Sequence, residues 1–350
     1  MRTKLGGPKT QTGTRTEGLS VRRRAISVGS AGSTIGQADA TRATVITRPR
    51  PASQSTFYER AIVSLEITPL HEAPFGALVS GWEPAEPLTD ASTRNITEAL
   101  RRHRLLLFRG QGQPTDEDLV RFVESFGDPI RGSEWFRNAG ALPEILPVTN
   151  IRGEDGDRLG VEGATDLEWH ADYSYAATPA KTSFLNAVEL PTEPPRTYFT
   201  DMYDAYATLD PDLQVRLSGL RATHSIADYM AEPDKNFAAK IERDEAAGID
   251  RPDIPEAEHP VVVHHPDTGD EILYVSRGIT RRIVGMERVE SSALLKQLHL
   301  HATQPDRVYG HDWQVGDLVM FDTLGTMHRR DAWDPTERRL MRQLSTACVI

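Results

Sequence analysis

The stretch EWHADYSY, residues 168–175, carries a His-x-Asp, and the kind of fold around it turns on whether His170 and Asp172 grip a metal. On a β-strand, side chains alternate with period two, so a strand here puts both groups on one face. That supplies one imidazole and one carboxylate, two adjacent corners of a coordination sphere. A triad of two histidines and one carboxylate needs a further histidine from a distant strand, and it leaves three positions of an octahedral Fe(II) open. Of the eleven histidines, His328 in LVMFDTLGTMHRR (318–330) fits best. A strand and a glycine-containing turn precede it, and a strand bearing several arginines follows. His224, His259, His264 and His265 compete on spacing alone. His264-His265 runs into Pro266-Asp267-Thr268-Gly269, a strand end entering a turn, and reads as structural. His299 and His301 fall in a helical pattern and read as surface or packing residues.

If the open iron positions take 2-oxoglutarate, its far carboxylate needs a bidentate cation in a buried site, which favours arginine over lysine. Arg339 follows His328 in TERRLMRQ (336–343). On a strand, Arg339, Met341 and Gln343 share one face, and Arg338, Leu340 and Arg342 share the other. Only one of these sets is expected to point inside.

Working outward, a chain of 350 residues with 38% apolar content can bury one large core or two smaller ones. No apolar run reaches the roughly 18 residues needed to cross a bilayer, so no membrane partner is expected. The single cysteine, Cys348, excludes a disulfide framework and a CxxC site, which makes a reducing cytoplasm the simplest compartment. Residues 1–56 carry ten basic and two acidic side chains, a net of +8, leaving −19 on the rest of a chain whose total is −11. A body that acidic is not expected to bind nucleic acid. The basic N-terminal stretch is rich in Ser, Thr and Gly and lacks apolar periodicity, so it reads as a disordered extension. Its Arg-rich, acid-poor composition also matches an organelle-targeting segment.

The folded domain is expected over 57–350. SLEITPL (64–70) and FGALVSG (75–81) have strand character. TDASTRNITEALRRHR (89–104) reads as a helix capped by Thr89 or Asp90, LLLF (105–108) as a buried strand, and PTDEDLVRFVESFG (114–127) as a helix capped at Thr115 and stopped by Gly127. After Asp172 the chain is strand-rich: 181–190, 196–202, 259–266, 271–276, 317–322 and 338–350 are candidate strands. Helices are expected at MYDAYATL with DPDLQVRLSGL, and at VESSALLKQLHLHAT. This order predicts an α+β fold with a mainly antiparallel barrel or sandwich. The charged, Pro-containing stretch 231–258 reads as an insertion, either a lid or a plain solvated loop.

LEWHADYSYAATPAKTSFLNAVELPTEPPRTYFTDMYDAYATL, HPVVVHHPDTGDEILYVSRGITRRIVGM and GDLVMFDTLGTMHRRDAWDPTERRLMRQ resemble, in order and spacing, the taurine dioxygenase/2,4-D dioxygenase family of Fe(II)/2-oxoglutarate-dependent dioxygenases. LLLFRGQGQPTDEDLVRFVESFGDP resembles that family's N-terminal strand-helix unit, so the likeness spans roughly 60–350. It implies a double-stranded β-helix, a cupin-like jelly-roll core with flanking helices, and the co-substrates 2-oxoglutarate and O2. His170, Asp172 and His328 fall on the iron ligands. Arg339 falls on the arginine that pairs with the distal carboxylate of 2-oxoglutarate, and Thr197 on the threonine that hydrogen-bonds it. Trp169 matches an aromatic residue common before the first ligand and reads as packing.

The chain departs from the sulfonate-using branch at two points. Gln343 stands where that branch has a second arginine, and DPIRGSEW (128–135) lacks its substrate-contacting histidine. Taurine is therefore disfavoured, and Gln343, Asn150, Arg131 and Trp135 become candidate substrate contacts. The resemblance implies hydroxylation of an unactivated C–H of a small, anionic, carboxylate or amino-acid-like metabolite, with CO2 and succinate as co-products. Heteroatom-group release or desaturation are possible sequels. Retention of Asp172 disfavours halogenation, which requires a small residue there. The family tendency also implies a homo-oligomer, dimer or tetramer. Two other readings, a non-catalytic jelly-roll binding protein and a Zn²⁺ or Mn²⁺ hydrolase, leave the arginine and threonine pair without a purpose.

Overall fold

The computed structural model describes residues 65–131, 142–154, 156, 159–161, 163–228, 246 and 254–348. The expected N-terminal extension and most of the expected 231–258 insertion lie outside these residues. The described chain opens with the hairpin β1 (Glu66–Pro69) and β2 (Ala77–Ser80), then α1 (Asp90–His103), β3 (Leu105–Phe108) and α2 (Asp116–Glu124). Thr89, rather than Asp90, caps α1 by accepting from the Ser92 amide at 3.1 Å. The helix closes on Arg104, in the left-handed region at φ 65°, whose amide returns to Leu100 O. Thr115 caps α2, which ends at Glu124, before the expected stop at Gly127.

The remaining elements are β4 (Leu146–Thr149), β5 (Leu167–His170), β6 (Ala180–Glu189), β7 (Thr197–Asp201), α3 (Met202–Ala207), α4 (Pro211–Leu217), β8 (Arg221–Ser225), β9 (Glu256–Pro260), β10 (Val262–His264), β11 (Glu271–Leu273), β12 (Thr280–Ile283), α5 (Arg288–Ala302), β13 (Val308–His311), β14 (Leu318–Asp322), β15 (Thr326–Arg330) and β16 (Leu340–Ala347). The expected strand 259–266 divides at Val261, because β9 pairs with β8 and β10 with β11.

All four side chains of β3 are buried, which requires cover on both faces of its sheet. That sheet has seven strands in the order β1-β2-β3-β14-β6-β16-β4. Its outer face presents Leu106, Phe108, Phe184, Met320 and Leu344 to α1 and α2, where Phe122 packs edge-on against Phe108 at 5.3 Å. Its inner face presents Leu107, Leu185, Val319, Phe321 and Met341, in one cluster with Phe199 and Trp313. Phe199 belongs to a second sheet, β13-β7-β15-β5. The far side of that sheet packs under α3, α4 and α5 through Met202, Leu217, Leu294, Leu298 and Met327. Two facing sheets, antiparallel except where β2 pairs parallel with β3, with helices outside them form the expected jelly-roll.

Arg342 corrects the expectation that only one face of β16 points inside. It lies on the face opposite Gln343, yet it is 9% exposed. The loop before α2 folds over it: Arg342 donates to Pro114 O at 2.8 Å, to Asp116 Oδ1 at 2.5 Å and to Asn186 Oδ1 at 2.6 Å. Both faces of this strand are covered.

The turn joining β14 to β15 is tied by Asp322, whose Oδ1 accepts from the Leu324 and Gly325 amides and whose Oδ2 accepts from the Tyr203 hydroxyl at 2.5 Å. Gly325 is required here by space, since a Cβ would run into the Tyr203 ring.

Candidate metal centre and catalytic chamber

β15 pairs antiparallel with β5, and His328 sits directly opposite His170. Their ring centroids are 4.1 Å apart. Asp172 does not share the strand with His170 as expected. β5 ends at His170, and Asp172 begins a turn in which Tyr173 adopts φ 55°. A bulky residue in the left-handed region is strained, and it marks where the chain leaves the strand direction just after Asp172. Asp172 Oδ1 lies 3.7 Å from His170 Nε2 and 3.9 Å from His328 Nε2.

These separations exceed a hydrogen bond, and the three donor atoms lie within 4.8 Å of one another, so one ion can reach all three. Two imidazole nitrogens and a carboxylate oxygen form the donor set of a facial triad for Fe(II). His170 Nδ1 faces the Glu168 carbonyl at 2.8 Å, which fixes the proton there and leaves Nε2 free to ligate. Burial, reinforced by His170, pushes the His328 pKa well below its ordinary value and keeps that ring neutral. Phe199 stacks on His328 at 5.8 Å and Phe321 meets it edge-on at 5.2 Å. Within this wall His328 Nδ1 is buried without a hydrogen-bond partner among the described residues. The residues present fit an iron ion.

The rival histidines lie elsewhere. His224 packs against His259 at 5.4 Å, and His259 bonds the Ala176 carbonyl at 2.9 Å, bracing the loop that carries Asp172. His265 lies 3.8 Å from Asp322, and His264 is exposed. His301 bonds the Ala205 carbonyl at 2.9 Å, a packing contact between helices.

Arg339, immediately before β16, is 2% exposed, with its guanidinium 5.2 Å from the Trp333 ring. Thr197 opens β7 and accepts from Trp313 Nε1 at 2.9 Å. Trp313 and Met341, two residues beyond Arg339, share the buried cluster between the sheets.

Residues 66–344 match the profile of the taurine catabolism dioxygenase TauD, TfdA family. The chain belongs to this family. TauD/TfdA membership, with the His-Asp-His site, makes it an Fe(II)- and 2-oxoglutarate-dependent dioxygenase that uses O2. It is 36% identical over 292 residues to pentalenolactone F synthase of Streptomyces avermitilis, covering 81% of this chain and 94% of that protein. It is 34% identical over 279 residues to the (S)-phenoxypropionate/alpha-ketoglutarate-dioxygenase of Sphingobium herbicidovorans, covering 79% and 93%. Among solved structures, AAD-2 in complex with Mn(II) and N-oxalylglycine superposes with TM-score 0.63 at 28% identity, covering 81% of this chain and 98% of that one. These relatives differ in substrate, so membership assigns the co-substrates and leaves the substrate class to the chamber.

The chamber beside the triad has a volume of about 270 Å³. Leu146, Val161, Ile226, Ile279 and Tyr175 form a joint apolar cluster on its walls. Gln343 faces into it from β16. At the mouth, Arg277 lies 3.5 Å from Glu168, and Arg281 pairs with Asp228.

Of the other candidate contacts, Asn150 is not among the residues lining the chamber. Its Nδ2 donates to Glu337 O at 2.7 Å and Pro335 O at 3.2 Å, and its Oδ1 accepts from the Arg339 amide at 3.0 Å. With every polar atom engaged on the backbone before β16, it braces Arg339. Arg131 is 77% exposed and pairs with Glu144 at 3.2 Å, away from the chamber lining. Trp135 lies outside the described residues. Sequence reasoning missed Arg330, which donates to the Gly163 and Thr165 carbonyls and fixes the loop leading into β5. It also missed Tyr175, which lines the chamber and packs with Leu146, Ile226 and Ile279.

Proposed function

We propose that His170, Asp172 and His328 hold Fe(II), that Arg339 and Thr197 hold the distal carboxylate of 2-oxoglutarate, and that the enzyme hydroxylates an unactivated C–H of a small organic metabolite. The observation that carries this reading is the direct opposition of His170 and His328, with Asp172 Oδ1 facing both Nε2 atoms.

When bound, iron and 2-oxoglutarate use O2 to release CO2 and succinate and to deliver one oxygen atom to the substrate. This chain's residues prepare for that. The Glu168 carbonyl holds the His170 tautomer. Arg339 neutralises a carboxylate in a site too buried for water to do so. The apolar walls exclude solvent and orient one C–H bond toward the metal.

The walls favour a substrate with an apolar body. Gln343 offers it a neutral hydrogen-bonding partner. A carboxylate or amino-acid-like head is served at the mouth by Arg277 and Arg281, whose exposed ion pairs contribute little and exchange partners readily.

Anaerobic addition of Fe(II) and 2-oxoglutarate tests the assignment. The visible charge-transfer band of the chelate is expected in wild type and absent in His170→Ala. A band that survives in the variant would falsify the ligand set. Succinate release stimulated by members of a panel of small carboxylates then reports the substrate class.

A further inference from the structure

We infer a second ligand site, on the back of the metal-bearing strands, that takes an amphipathic anion. β5 and β15 carry His170 and His328 on their inner face, and their neighbours Trp169 and Met327 point to the other side. Both neighbours line a separate cavity of about 920 Å³ beside α5 and β12. With Met286 and Leu295 they give it an apolar floor. Around them stand Arg277, Arg281, Arg282, Arg288 and Lys296, with Glu287 as the one carboxylate among the described lining residues.

On a domain whose sequence carries −19 over residues 57–350, this is a concentrated reversal of charge. Arg282, Arg288 and Lys296 have no ion-pair partner among the described residues. His299, from α5, adds a polar atom: its Nε2 is buried without a hydrogen-bond partner among the described residues, and the residue lines the same wall. Burial pushes its pKa down to about 4, so the ring is neutral there.

The combination selects the ligand. A small inorganic anion leaves the floor of Trp169, Met286, Leu295 and Met327 exposed, and a neutral lipid leaves the arginines unused. An apolar body ending in a phosphate or carboxylate satisfies both. The site is distinct from the catalytic chamber, with which it shares only Arg277 and Arg281. A ligand there lies against residues one step from two metal ligands.

Decyl phosphate at monomeric concentration, titrated calorimetrically into the full-length protein, tests the site. One-site binding is expected, weakened more than about tenfold by the double variant Arg282→Glu/Arg288→Glu. Ser292→Trp, which fills the groove without changing charge, is expected to block it, and decanol to bind far more weakly than the phosphate. Gln343→Trp, which fills the catalytic chamber, is expected to leave binding intact. Unchanged affinity in both groove variants, or loss of binding in Gln343→Trp, overturns the inference. So does binding to phosphatidic acid vesicles without binding to the monomer. A charge-reversed variant that changes the native molecular mass but not decyl phosphate affinity also overturns it, since the groove then belongs to a contact between copies.

Discussion

His170 and His328 are register partners: β5 and β15 run antiparallel with these two residues opposed and their rings 4.1 Å apart. Each is one of three donors, and loss of an outer-shell partner alone costs about 10–100-fold in metal affinity. His170→Ala and His328→Ala are each expected to weaken Fe(II) binding by more than about 100-fold. Metal content after desalting checks this, and a variant retaining one equivalent of iron would contradict it.

Gln343 faces the chamber from β16, beside Leu146. Gln343→Arg introduces a cation among apolar walls, where an anionic substrate compensates it. The ratio of kcat/KM for short sulfonates over neutral substrates is expected to rise by about tenfold. An unchanged ratio removes Gln343 from the specificity determinants.

Asn150 accepts the Arg339 amide at 3.0 Å and ties down the preceding turn through the Pro335 and Glu337 carbonyls. On the proposed role of Arg339 in holding 2-oxoglutarate, Asn150 is a positioning residue that acts through it. Asn150→Ala is expected to raise the KM for 2-oxoglutarate by about tenfold, the equivalent of one hydrogen bond, with iron affinity unchanged. Equal losses in both constants would point to general unfolding of the site.

Arg342 is buried on the outer face against Asn186, Asp116 and Pro114. Arg342→Met takes the donor from the Pro114 carbonyl and the Asp116 carboxylate, while Asn186 Oδ1 keeps Gln113 Nε2 at 2.6 Å. Asp116 is 35% exposed, so water recovers part of the loss, and destabilisation of about 2–3 kcal/mol is expected. Denaturant melts of the apoprotein measure it, and a shift within error would mean that water replaces the guanidinium.

Burial, with His259 acting in the same direction, lowers the His224 pKa from 6.5 to about 3. The unfolded chain takes a proton below about pH 6.5, whereas the folded chain resists until about pH 3. Stability is therefore lost as pH falls through that window, by about 2 kcal/mol at pH 5 from this residue. His299, held at about 4 by burial and Arg277, adds a loss of the same sign. His224→Gln is expected to flatten the fall in stability between pH 7 and 5 without abolishing it. An identical slope in the variant assigns the acid sensitivity elsewhere.

The features legible in the sequence are local or periodic. Thr89 and Thr115 announce helix starts because capping needs one side chain and an amide three residues away. The separation of Gln343 from Arg342 follows from strand alternation. What escaped depends on contacts between distant segments. Nothing near Asp172 reveals that Tyr173 leaves the strand conformation, so the carboxylate's place on a turn was hidden. The burial of Arg342 depends on a loop some 226 residues earlier in the chain. Asn150 looks like any polar residue after a strand until the turn before Arg339 folds onto it.

At the β14–β15 turn, Gly325 lies where no side chain fits beside Tyr203, and Asp322 fastens both the turn and that tyrosine. A slip of one residue in β15 would turn His328 to the opposite face. The position of His328 thus leans on a glycine three residues earlier, whose own neighbours are Tyr203 and Asp322. Loading then resembles docking into finished joinery, and protein stripped by a chelator should regain its ion at once, without a refolding step.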